Sequence, residues 1–410
     1  MGVSEDADIV VVGGGPVGLA TAALLGRLGH DVLVLEQRPE PVPPDESRAI
    51  TWMPEGLLLA DHLGIHDRLA QRAVVRTAHE FRRSPGGGPL LTLHLDRMRH
   101  RHPYSLNLAQ HDTEVVLEAA AQAVPGVRVL RGFTVKSVSQ DATGVEIRGI
   151  AASGAADGAR ARFGVVADGA GSTRRGGAAM LHVAQRFRDY GTYSAVADVE
   201  LASDPDRNDR SWIALDPRRP LGAFAFGPRR WRLVYRVEGE EERLRAVEPD
   251  FVERMLRRAY PDAVLTRHLW ASTFRLGQGQ ALRYASGRWV LVGDAAHAMG
   301  PSAGAGMMVG LLGAWRLEDA LRRHGLDAWE RAVAEYAEGQ RAASERVQSA
   351  NALIFRNIAL RNPALAAARS TGLWLAGHLS PAGMRMTRRE TLAGLAPEVT
   401  EAEKLAVPRS

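Results

Sequence analysis

Apolar residues run without interruption through some short stretches of this chain and alternate with polar residues through others. Near the amino terminus, "DIVVVGGGPVGLATAALLGRLGHDVLVLEQRP" predicts a strand, a glycine turn, a helix and a second strand. The first strand, Ile9 to Val12, is apolar throughout, which is typical of a parallel strand that is covered on both faces. The stretch therefore predicts a βαβ unit.

After Glu36 the hydrophobic pattern no longer predicts a regular alternation of strands and helices. "PEGLLLADHLGIHDRL" and "DTEVVLEAAAQA" predict helices, the second capped by Asp112 or Thr113. From about Tyr190 to Phe274, alternation such as "YSAVADVEL" and "RWRLVYRV" predicts an antiparallel sheet, which the helix "FVERMLRRAY" interrupts. "GRWVLVGDAAH" then returns to a buried strand, and helices follow. We expect an α/β fold in which a Rossmann-like domain is interrupted by a sheet domain and followed by C-terminal helices.

This pattern predicts a discontinuous division of the chain into domains. The expected units are a nucleotide-binding domain (1–75, 105–180 and 280–340), a substrate-binding sheet domain (76–104 and 181–279) and a C-terminal helical segment (341–410).

Composition narrows the class of protein. The chain has 410 residues, 45% of them hydrophobic and 24% charged, as in ordinary soluble proteins of two domains. Its net charge of +5 is small, and no basic block interleaved with aromatics suggests nucleic-acid binding. Cysteine is absent, which excludes disulfides, thiolate catalysis and cysteine metal sites. The apolar run from Ile9 to Leu28 has an acidic flank and is interrupted by Gly13, Gly14, Gly15 and Gly18, so we expect no membrane insertion and a cytoplasmic protein.

The glycine turn carries the first chemical signal. Gly13, Gly15 and Gly18 form G-x-G-x-x-G, in which the first glycine permits a tight turn, the second lets a pyrophosphate approach, and the third packs helix against strand. Pro16 suits the first helical turn. The second strand ends in Glu36, whose carboxylate can accept hydrogen bonds from a ribose. The unit predicts a dinucleotide site, with a plain NAD dehydrogenase as the alternative.

Two later motifs, each directly after a predicted strand, join the glycine turn as candidate binding motifs. They are "VVADGAGSTRR", with Asp168 and Arg175, and "VLVGDAAHAMGPSAGAG", with Asp294. Together with the glycine turn, Arg48 in "SRAI" and Gln110, they resemble the class A flavoprotein monooxygenases, the p-hydroxybenzoate-hydroxylase-like family. The resemblance covers about residues 9–341 and implies a Rossmann-like FAD-binding domain of the GR2 type.

The resemblance also implies a cofactor and a reaction. NAD(P)H would reduce non-covalently bound FAD as a transient electron donor, O2 would add to form a flavin C4a-hydroperoxide, and one oxygen atom would pass to a small-molecule substrate. No second nucleotide-binding fold is evident for NAD(P)H, and no additional thioredoxin-like domain, which some relatives carry, is expected. The residues that the resemblance places at the cofactor are Gly13, Gly15, Pro16, Val17, Gly18, Glu36, Gln37, Arg38, Arg48, Gln110, Asp168, Asp294, Pro301, Gly304, Ala305, Gly306, Met307 and Met308.

Individual roles follow from the family. Glu36 would hold the adenosine ribose, Arg48 and Gln110 would lie along the flavin and its ribityl chain, and Asp294 would bond the ribityl hydroxyls. Asp168 belongs to a motif linked to both FAD and NAD(P)H, although a purely structural acid at a strand end is an alternative interpretation. His297 is interpreted as a structural group, and no side chain is assigned as catalytic.

The substrate should lie between the flavin and the antiparallel sheet. The aromatic candidates are Tyr193, Trp212, Phe224 and Phe226, and each could equally be sheet core. Few polar residues alternate with them, which favours a largely apolar ligand such as a polyketide, a terpenoid or a fused aromatic. The sequence does not determine the identity of the substrate, the position at which it is hydroxylated or the oligomeric state. It also does not determine whether NADH or NADPH is the electron donor.

The helix after the "GD" motif departs from the family pattern. Ala305 replaces a Gln, Met308 an Asn, Gly313 an Asp and Arg316 an Asn. We expect the helix start to face the flavin, since backbone N–H groups survive such changes, with Met307 and Met308 lining an apolar approach. The alternatives are an epoxidase or oxidative rearrangement enzyme, a redox-neutral cyclase with structural FAD, and a flavin-binding protein without catalysis.

Overall fold

The structure is a computed structural model that describes residues 5–300 and 305–379. In chain order the strands are β1 (Glu5–Val12), β2 (Val32–Glu36), β3 (Thr51–Trp52), β4 (Val74–Arg76), β5 (Ala78–Arg82), β6 (Pro89–His94), β7 (Ser105–Asn107), β8 (Val127–Arg131), β9 (Thr134–Gln140), β10 (Val145–Ile150), β11 (Ala156–Val166), β12 (Gln185–Leu201), β13 (Arg210–Ala214), β14 (Leu221–Gly227), β15 (Arg230–Val237), β16 (Leu265–Ala281), β17 (Ala285–Ser286) and β18 (Trp289–Leu291). The α-helices are α1 (Pro16–Arg27), α2 (Pro54–Leu63), α3 (His66–Ala70), α4 (Gln110–Gln122), α5 (Ser172–Arg175), α6 (Gly177–Met180), α7 (Gly239–Arg245), α8 (Pro249–Ala259), α9 (Ala305–His324), α10 (Trp329–Ile358) and α11 (Pro363–Leu379).

The first sheet has the order β17-β18-β11-β1-β2-β8, with β10 and β9 branching from β11. Strands β18, β11, β1, β2 and β8 are parallel. Their side chains are mostly apolar and buried, and they form one core with residues of α1, α9 and α10. Burial on both faces explains the unbroken apolar runs in the sequence. The predicted α/β fold with a Rossmann-like unit is confirmed.

The second sheet has seven strands in the order β16-β12-β15-β14-β13-β5-β6. All neighbours are antiparallel except β13 and β5, which are parallel. Side chains alternate between its faces. We call the face that bears Trp212, Trp231 and Tyr235 the back face; it packs against α8. The front face bears His79, Ser211 and Phe224.

Between the two sheets lies a short three-stranded sheet, β3-β7-β4. The sequence pattern did not predict it, because two or three residues per strand give no alternation to detect. The helix predicted from "DTEVVLEAAAQA" is α4, but it begins at Gln110, and its N-cap, Ala109, makes no side-chain cap. The prediction that Asp112 or Thr113 caps this helix is therefore wrong.

The C-terminal part of the described chain is helical, as predicted. Trp329, Val333 and Tyr336 of α10 pack into the core of the first sheet, and α11 packs against β6. Within residues 5–300 and 305–379, no helix combines the length and the apolar character that crossing a bilayer requires. The seven-stranded sheet takes its strands from residues 78–94 and 185–281. The division into domains drawn from the sequence stays a prediction.

Candidate functional site

The three glycines of the turn between β1 and α1 have different surroundings. A Cβ atom on Gly13, whose φ is +110°, would lie 2.5 Å from the carbonyl oxygen of Ala167, and one on Gly18 would lie 1.9 Å from that of Gly13. A Cβ atom on Gly15 would meet no atom within 4 Å. The outer two glycines are thus required by the fold, whereas Gly15 borders open space that a ligand can occupy.

Helix α1 points its amino terminus at this space. Pro16 is its first residue and Gly15 its N-cap, and Gly15 provides no side-chain cap. The N–H groups of Val17 and Gly18 belong to the first turn, where no helical carbonyl is available to them. Free N–H groups and the helix dipole attract an anion, so the turn has the properties of a pyrophosphate site.

Glu36, the last residue of β2, contacts the glycine turn. Its Oε2 accepts a hydrogen bond from Gly14 N at 2.6 Å, and its Oε1 accepts one from Arg38 N at 2.8 Å. Each carboxylate oxygen keeps a further lone pair, so both could still accept from a ribose hydroxyl. Gln37 is exposed, and Arg38 forms an ion pair with Glu46 at 3.2 Å. The contact of this carboxylate with a ribose stays a prediction.

Glu36→Ala should weaken FAD binding. A charge-assisted hydrogen bond contributes about 1.5–3 kcal/mol, so the Kd for FAD should rise by about ten- to a hundredfold. Flavin fluorescence titration of the apoprotein measures this Kd. Glu40→Ala, which removes an exposed acid from the same segment, is the matched control. An unchanged Kd in Glu36→Ala would contradict the assignment.

Arg48 and Gln110 meet, but through the backbone of Arg48. Gln110 Oε1 accepts hydrogen bonds from Arg48 N and Ala49 N, both at 3.1 Å, and Gln110 Nε2 donates to Glu114 at 2.9 Å. The side-chain amide of Gln110 is therefore occupied in holding residues 48 and 49. The Arg48 side chain is 72% exposed and lies 3.5 Å from Glu46. It is positioned to reach a ligand, whereas Gln110 is positioned to hold the loop.

Two buried residues that the sequence reasoning missed hold the same loop from the other side. Arg232 of β15 forms an ion pair with Asp198 of β12 at 2.8 Å, and both side chains are almost fully buried. Its guanidinium also donates to the carbonyl oxygens of Ser47, at 2.5 Å, and Arg48, at 3.3 Å. The front face of the seven-stranded sheet is thereby joined to residues 47–49, which we call the Arg48 loop. Strand β15 also carries Arg230 and Arg236, so no signal in the sequence singled out Arg232.

Asp168 has a structural partner. Its Oδ2 accepts a hydrogen bond from Gly177 N at 2.7 Å, at the start of α6. Burial raises the pKa of Asp168. No ion pair joins Asp168 to Arg175 within the described part of the chain. The other carboxylate oxygen of Asp168, Oδ1, is buried and has no partner among the described residues, so the structural and the cofactor-binding interpretations both stay predictions.

Asp294 lies in the short turn Gly293–Ala295 that follows β18. Burial raises the pKa of Asp294 to about 6, and the positive charge of Arg48 acts in the opposite direction. A Cβ atom on Gly306 would lie 3.7 Å from Asp294 Oδ1, so the carboxylate is beside the start of α9. Pro301 and Gly304 lie outside the described residues. Asp294, Arg48 and the start of α9 therefore surround one region.

Asp294→Asn should change how stability depends on pH. Because the folded pKa of about 6 exceeds the usual 3.8, the wild-type apoprotein binds more protons folded than unfolded and loses stability as pH rises between these values. The neutral Asn side chain has no such dependence. The free energy of unfolding of the variant, minus that of the wild type, should increase between about pH 4 and pH 7 in denaturant titrations. A difference that is constant with pH would contradict this account.

The structure corrects the expectation for Met308. Its side chain is buried in the core between α2 and α9, and its Sδ lies 3.4 Å from Met53 N. A Cβ atom on Gly56 would lie 2.3 Å from the same sulfur, so Gly56 provides the space. Met307 is partly buried against the same core. The Met308 side chain is therefore part of this core and lines no open approach.

The described part of α9 begins at Ala305. The amino-terminal end of a helix carries positive partial charge from its backbone N–H groups, and side-chain replacement does not remove that charge. Contacts of Ala305, Gly306, Met307 and Met308 with the flavin through their backbone stay a prediction.

Gly313 and Arg316, two of the residues that differ from the family pattern, both contact Gln340 of α10. A Cβ atom on Gly313 would lie 2.7 Å from Gln340 Nε2. That amide donates to the carbonyl oxygen of Val309 at 2.9 Å and lies 2.8 Å from His297 Nε2, while Arg316 donates to Gln340 Oε1. Burial lowers the pKa of His297 to about 4, so its ring is neutral at pH 7. These contacts support the structural interpretation of His297.

The four aromatic substrate candidates lie on opposite faces of the sheet. Trp212 is fully buried on the back face, where its Nε1 donates to Tyr260 at 2.9 Å, and Tyr193 packs against the same core. Phe226 and Phe224 lie on the front face, packed with Ile50 and Ala109 next to the Arg48 loop. The structure argues against substrate contacts for Tyr193 and Trp212. It leaves Phe224 and Phe226 as proposals.

A profile of the family described as "FAD binding domain" matches residues 6–350. The chain belongs to this family of FAD-binding proteins. Its relatives include FAD-dependent aromatic monooxygenases of the p-hydroxybenzoate-hydroxylase-like class, which confirms the resemblance drawn from the motifs. The residues present fit FAD, since the turn at Gly15 is open, α1 has no side-chain cap, and Asp294 lies beside the start of α9.

Two curated relatives are 31% identical to this chain. One is "Para-nitrophenol 4-monooxygenase" of Pseudomonas sp. (strain WBC-3), aligned over 76% of this chain and 77% of its own length. The other is "Uncharacterized aromatic compound monooxygenase YhjG" of Bacillus subtilis (strain 168), aligned over 77% of this chain and 62% of its own length. The chain thus spans less than two thirds of the second protein.

A solved structure also resembles this chain over its whole length. The crystal structure of p-nitrophenol 4-monooxygenase PnpA from Pseudomonas putida DLL-E4 is 25% identical, with a TM-score of 0.83. The similarity covers 99% of this chain and 100% of that one.

Proposed function

We propose that this chain is an FAD-dependent monooxygenase that uses NAD(P)H and O2 to hydroxylate a largely apolar aromatic or polyketide-like small molecule. The proposal rests on the Arg48 loop. Gln110 holds this loop from the FAD-binding part, while Arg232 holds it from the front face of the seven-stranded sheet. The region that fits FAD and the face that carries Phe224 and Phe226 therefore border the same loop.

When bound, FAD would supply electron transfer from NAD(P)H and activation of O2. The protein's own groups would bind and orient it. Val17 and Gly18 would donate N–H groups to the pyrophosphate, Glu36 would accept from the ribose, and Asp294 from the ribityl hydroxyls. Backbone N–H groups at the start of α9 would face negative charge on the flavin.

Phe224, packed on the buried side chains of Phe226 and Ile50, would present an apolar surface to the substrate and exclude water from it. The names of the relatives, which include a para-nitrophenol 4-monooxygenase, support an aromatic substrate. The binding of the substrate beside this surface, the use of NAD(P)H and the identity of the substrate are parts of the same proposal.

Turnover under isotopically labelled O2 tests the proposed reaction. The purified protein with FAD, NAD(P)H and a panel of phenols should yield a product that has gained one labelled oxygen atom by mass spectrometry. It should also consume NAD(P)H and O2 in step with the substrate. Unlabelled product that forms equally well without O2 would instead support the redox-neutral alternative, and the FAD-binding fold would stand.

A further inference from the structure

Three polar residues joined by hydrogen bonds, His79, Ser211 and Arg76, lie at the front face of the seven-stranded sheet, beside the proposed substrate surface. His79 of β5 is directly opposite Ser211 of β13. The His79 ring stacks on Phe224, with ring centroids 6.0 Å apart and planes 18° apart, and meets the edge of Phe81. It is partly exposed on this face. His79 is thus the polar neighbour of an aromatic residue assigned to the substrate.

We assign the proton of the neutral His79 ring to Nε2 from the hydrogen bonds of Ser211. Arg76 donates from a guanidinium nitrogen to Ser211 Oγ at 2.9 Å, and this oxygen lies 2.7 Å from His79 Nδ1. Arginine has no acceptor atom, so the hydroxyl hydrogen of Ser211 is free to point to His79 Nδ1. His79 Nδ1 then accepts, and Nε2 carries the hydrogen.

Arg76 is a buried cation without an acidic partner. Its side chain contacts Ser211, Ser105 at 3.2 Å and the sulfur of Met53 at 3.6 Å. No carboxylate lies within ion-pair distance of it among residues 5–300 and 305–379, and its Nε is buried without a partner. Burial lowers the pKa of Arg76 to about 10, so it remains charged at pH 7.

The same surroundings keep His79 neutral. Burial, followed by the positive charge of Arg76, lowers the pKa of His79 to about 3. The nearest acid on β5, Glu80, points to the opposite face, where it pairs with Arg82 and Arg210. His79 Nε2 has no hydrogen-bond partner among the described residues. A neutral ring that stacks on Phe224 therefore keeps one nitrogen for a ligand, while its other nitrogen is joined through Ser211 to a fixed positive charge.

We propose that His79 donates a hydrogen bond from Nε2 to a phenolic oxygen of the substrate and favours its anionic form, with Ser211 and Arg76 as the positioning residues. This inference rests on the proposed function and names the residue that recognises the substrate. A hydrogen bond to an ionised oxygen is stronger than one to a neutral oxygen, and a desolvated cation nearby strengthens the preference. The aromatic ring of the same substrate would lie against Phe224.

Equilibrium binding of 4-nitrophenol to the FAD-loaded protein, without NAD(P)H, tests this role. The phenol and phenolate forms of this probe absorb at different wavelengths, so one titration gives both the Kd and the ionisation state of the bound molecule. Wild type should bind the phenolate and lower the pKa of the probe. In His79→Leu the Kd should rise about tenfold or more, and the lowered probe pKa should return to its solution value.

Three further variants separate recognition from folding. His79→Gln keeps a donor near the position of Nε2 and should recover most of the affinity. Ser211→Ala should raise the probe pKa without loss of FAD, since it frees the His79 tautomer. His94→Leu removes a histidine from the adjacent strand β6 and should behave as wild type.

Two results would overturn the assignment. One is a His79→Leu protein that binds 4-nitrophenol with the wild-type Kd and spectrum. The other is a flavin-loaded wild type that binds neither 4-nitrophenol nor resorcinol. The proposed function fails separately, on the absence of labelled oxygen in any product, so the two failures are distinguishable.

Discussion

Gly15→Val should abolish FAD binding and leave the fold intact. A Cβ atom at this position meets no protein atom within 4 Å, and its φ is −76°, which any L-residue tolerates. The side chain would instead fill the space that the pyrophosphate needs. Losing two or more charge-assisted hydrogen bonds of about 1.5–3 kcal/mol each raises the Kd for FAD by more than about a hundredfold.

The measurements are flavin content after purification, FAD titration of the apoprotein, and circular dichroism with thermal unfolding. Gly86→Val is the matched control, because a Cβ atom on Gly86 also meets nothing within 4 Å and lies in an exposed turn far along the chain. Gly18→Val should behave differently from both, since its side chain would clash with the backbone of Gly13 and unfold the protein. A Gly15→Val protein that retains FAD would refute the assignment of this turn.

The sequence predicted the glycine turn well because its parts are local. Gly13, Gly18 and Glu36 lie within one βαβ unit, whose register is fixed by strand periodicity and by the steric demands of the turn. The structure places Glu36 against Gly14, as the spacing requires. The residues of a binding turn can therefore be predicted from the sequence when all of them lie within one supersecondary unit.

The orientation of a side chain at a helix start was not predictable in this way. Met308 was expected to face the flavin, because the family pattern has a polar residue there. The side chain instead fills the space above Gly56, which lies about 250 residues earlier in the chain. Only the packing of α2 against α9 brings these positions together, and no local pattern records it.

Residues such as His79, Arg232 and Gln340 were missed for the same reason. Each acts on a partner from another part of the chain, and each lies in a strand or helix whose apolar pattern gives its polar side chain no special meaning. The sequence analysis accordingly expected few polar groups near Phe224. The parallel pairing of β13 with β5 brings His79 and Ser211 there, although they are 132 residues apart.

The second large effect is expected from the buried ion pair of Asp198 and Arg232. Asp198→Ala should lower the free energy of unfolding by about 3–5 kcal/mol, because it leaves the buried Arg232 guanidinium without its counter-charge. Denaturant titration of the FAD-loaded protein measures this. The exposed pair Arg148 and Glu146 provides the control, since Glu146→Ala should cost no more than about 1 kcal/mol.

The double variant Asp198→Val with Arg232→Met distinguishes stability from positioning. An apolar pair of similar size removes both buried charges, so most of the lost stability should return. The carbonyl oxygens of Ser47 and Arg48 would still lack the donor that now holds them. We therefore expect near wild-type unfolding but weaker FAD binding, because the Arg48 loop would lose the two hydrogen bonds that Arg232 donates to it. If the double variant binds FAD as wild type does, the ion pair serves stability only, and the loop does not depend on the seven-stranded sheet for its position.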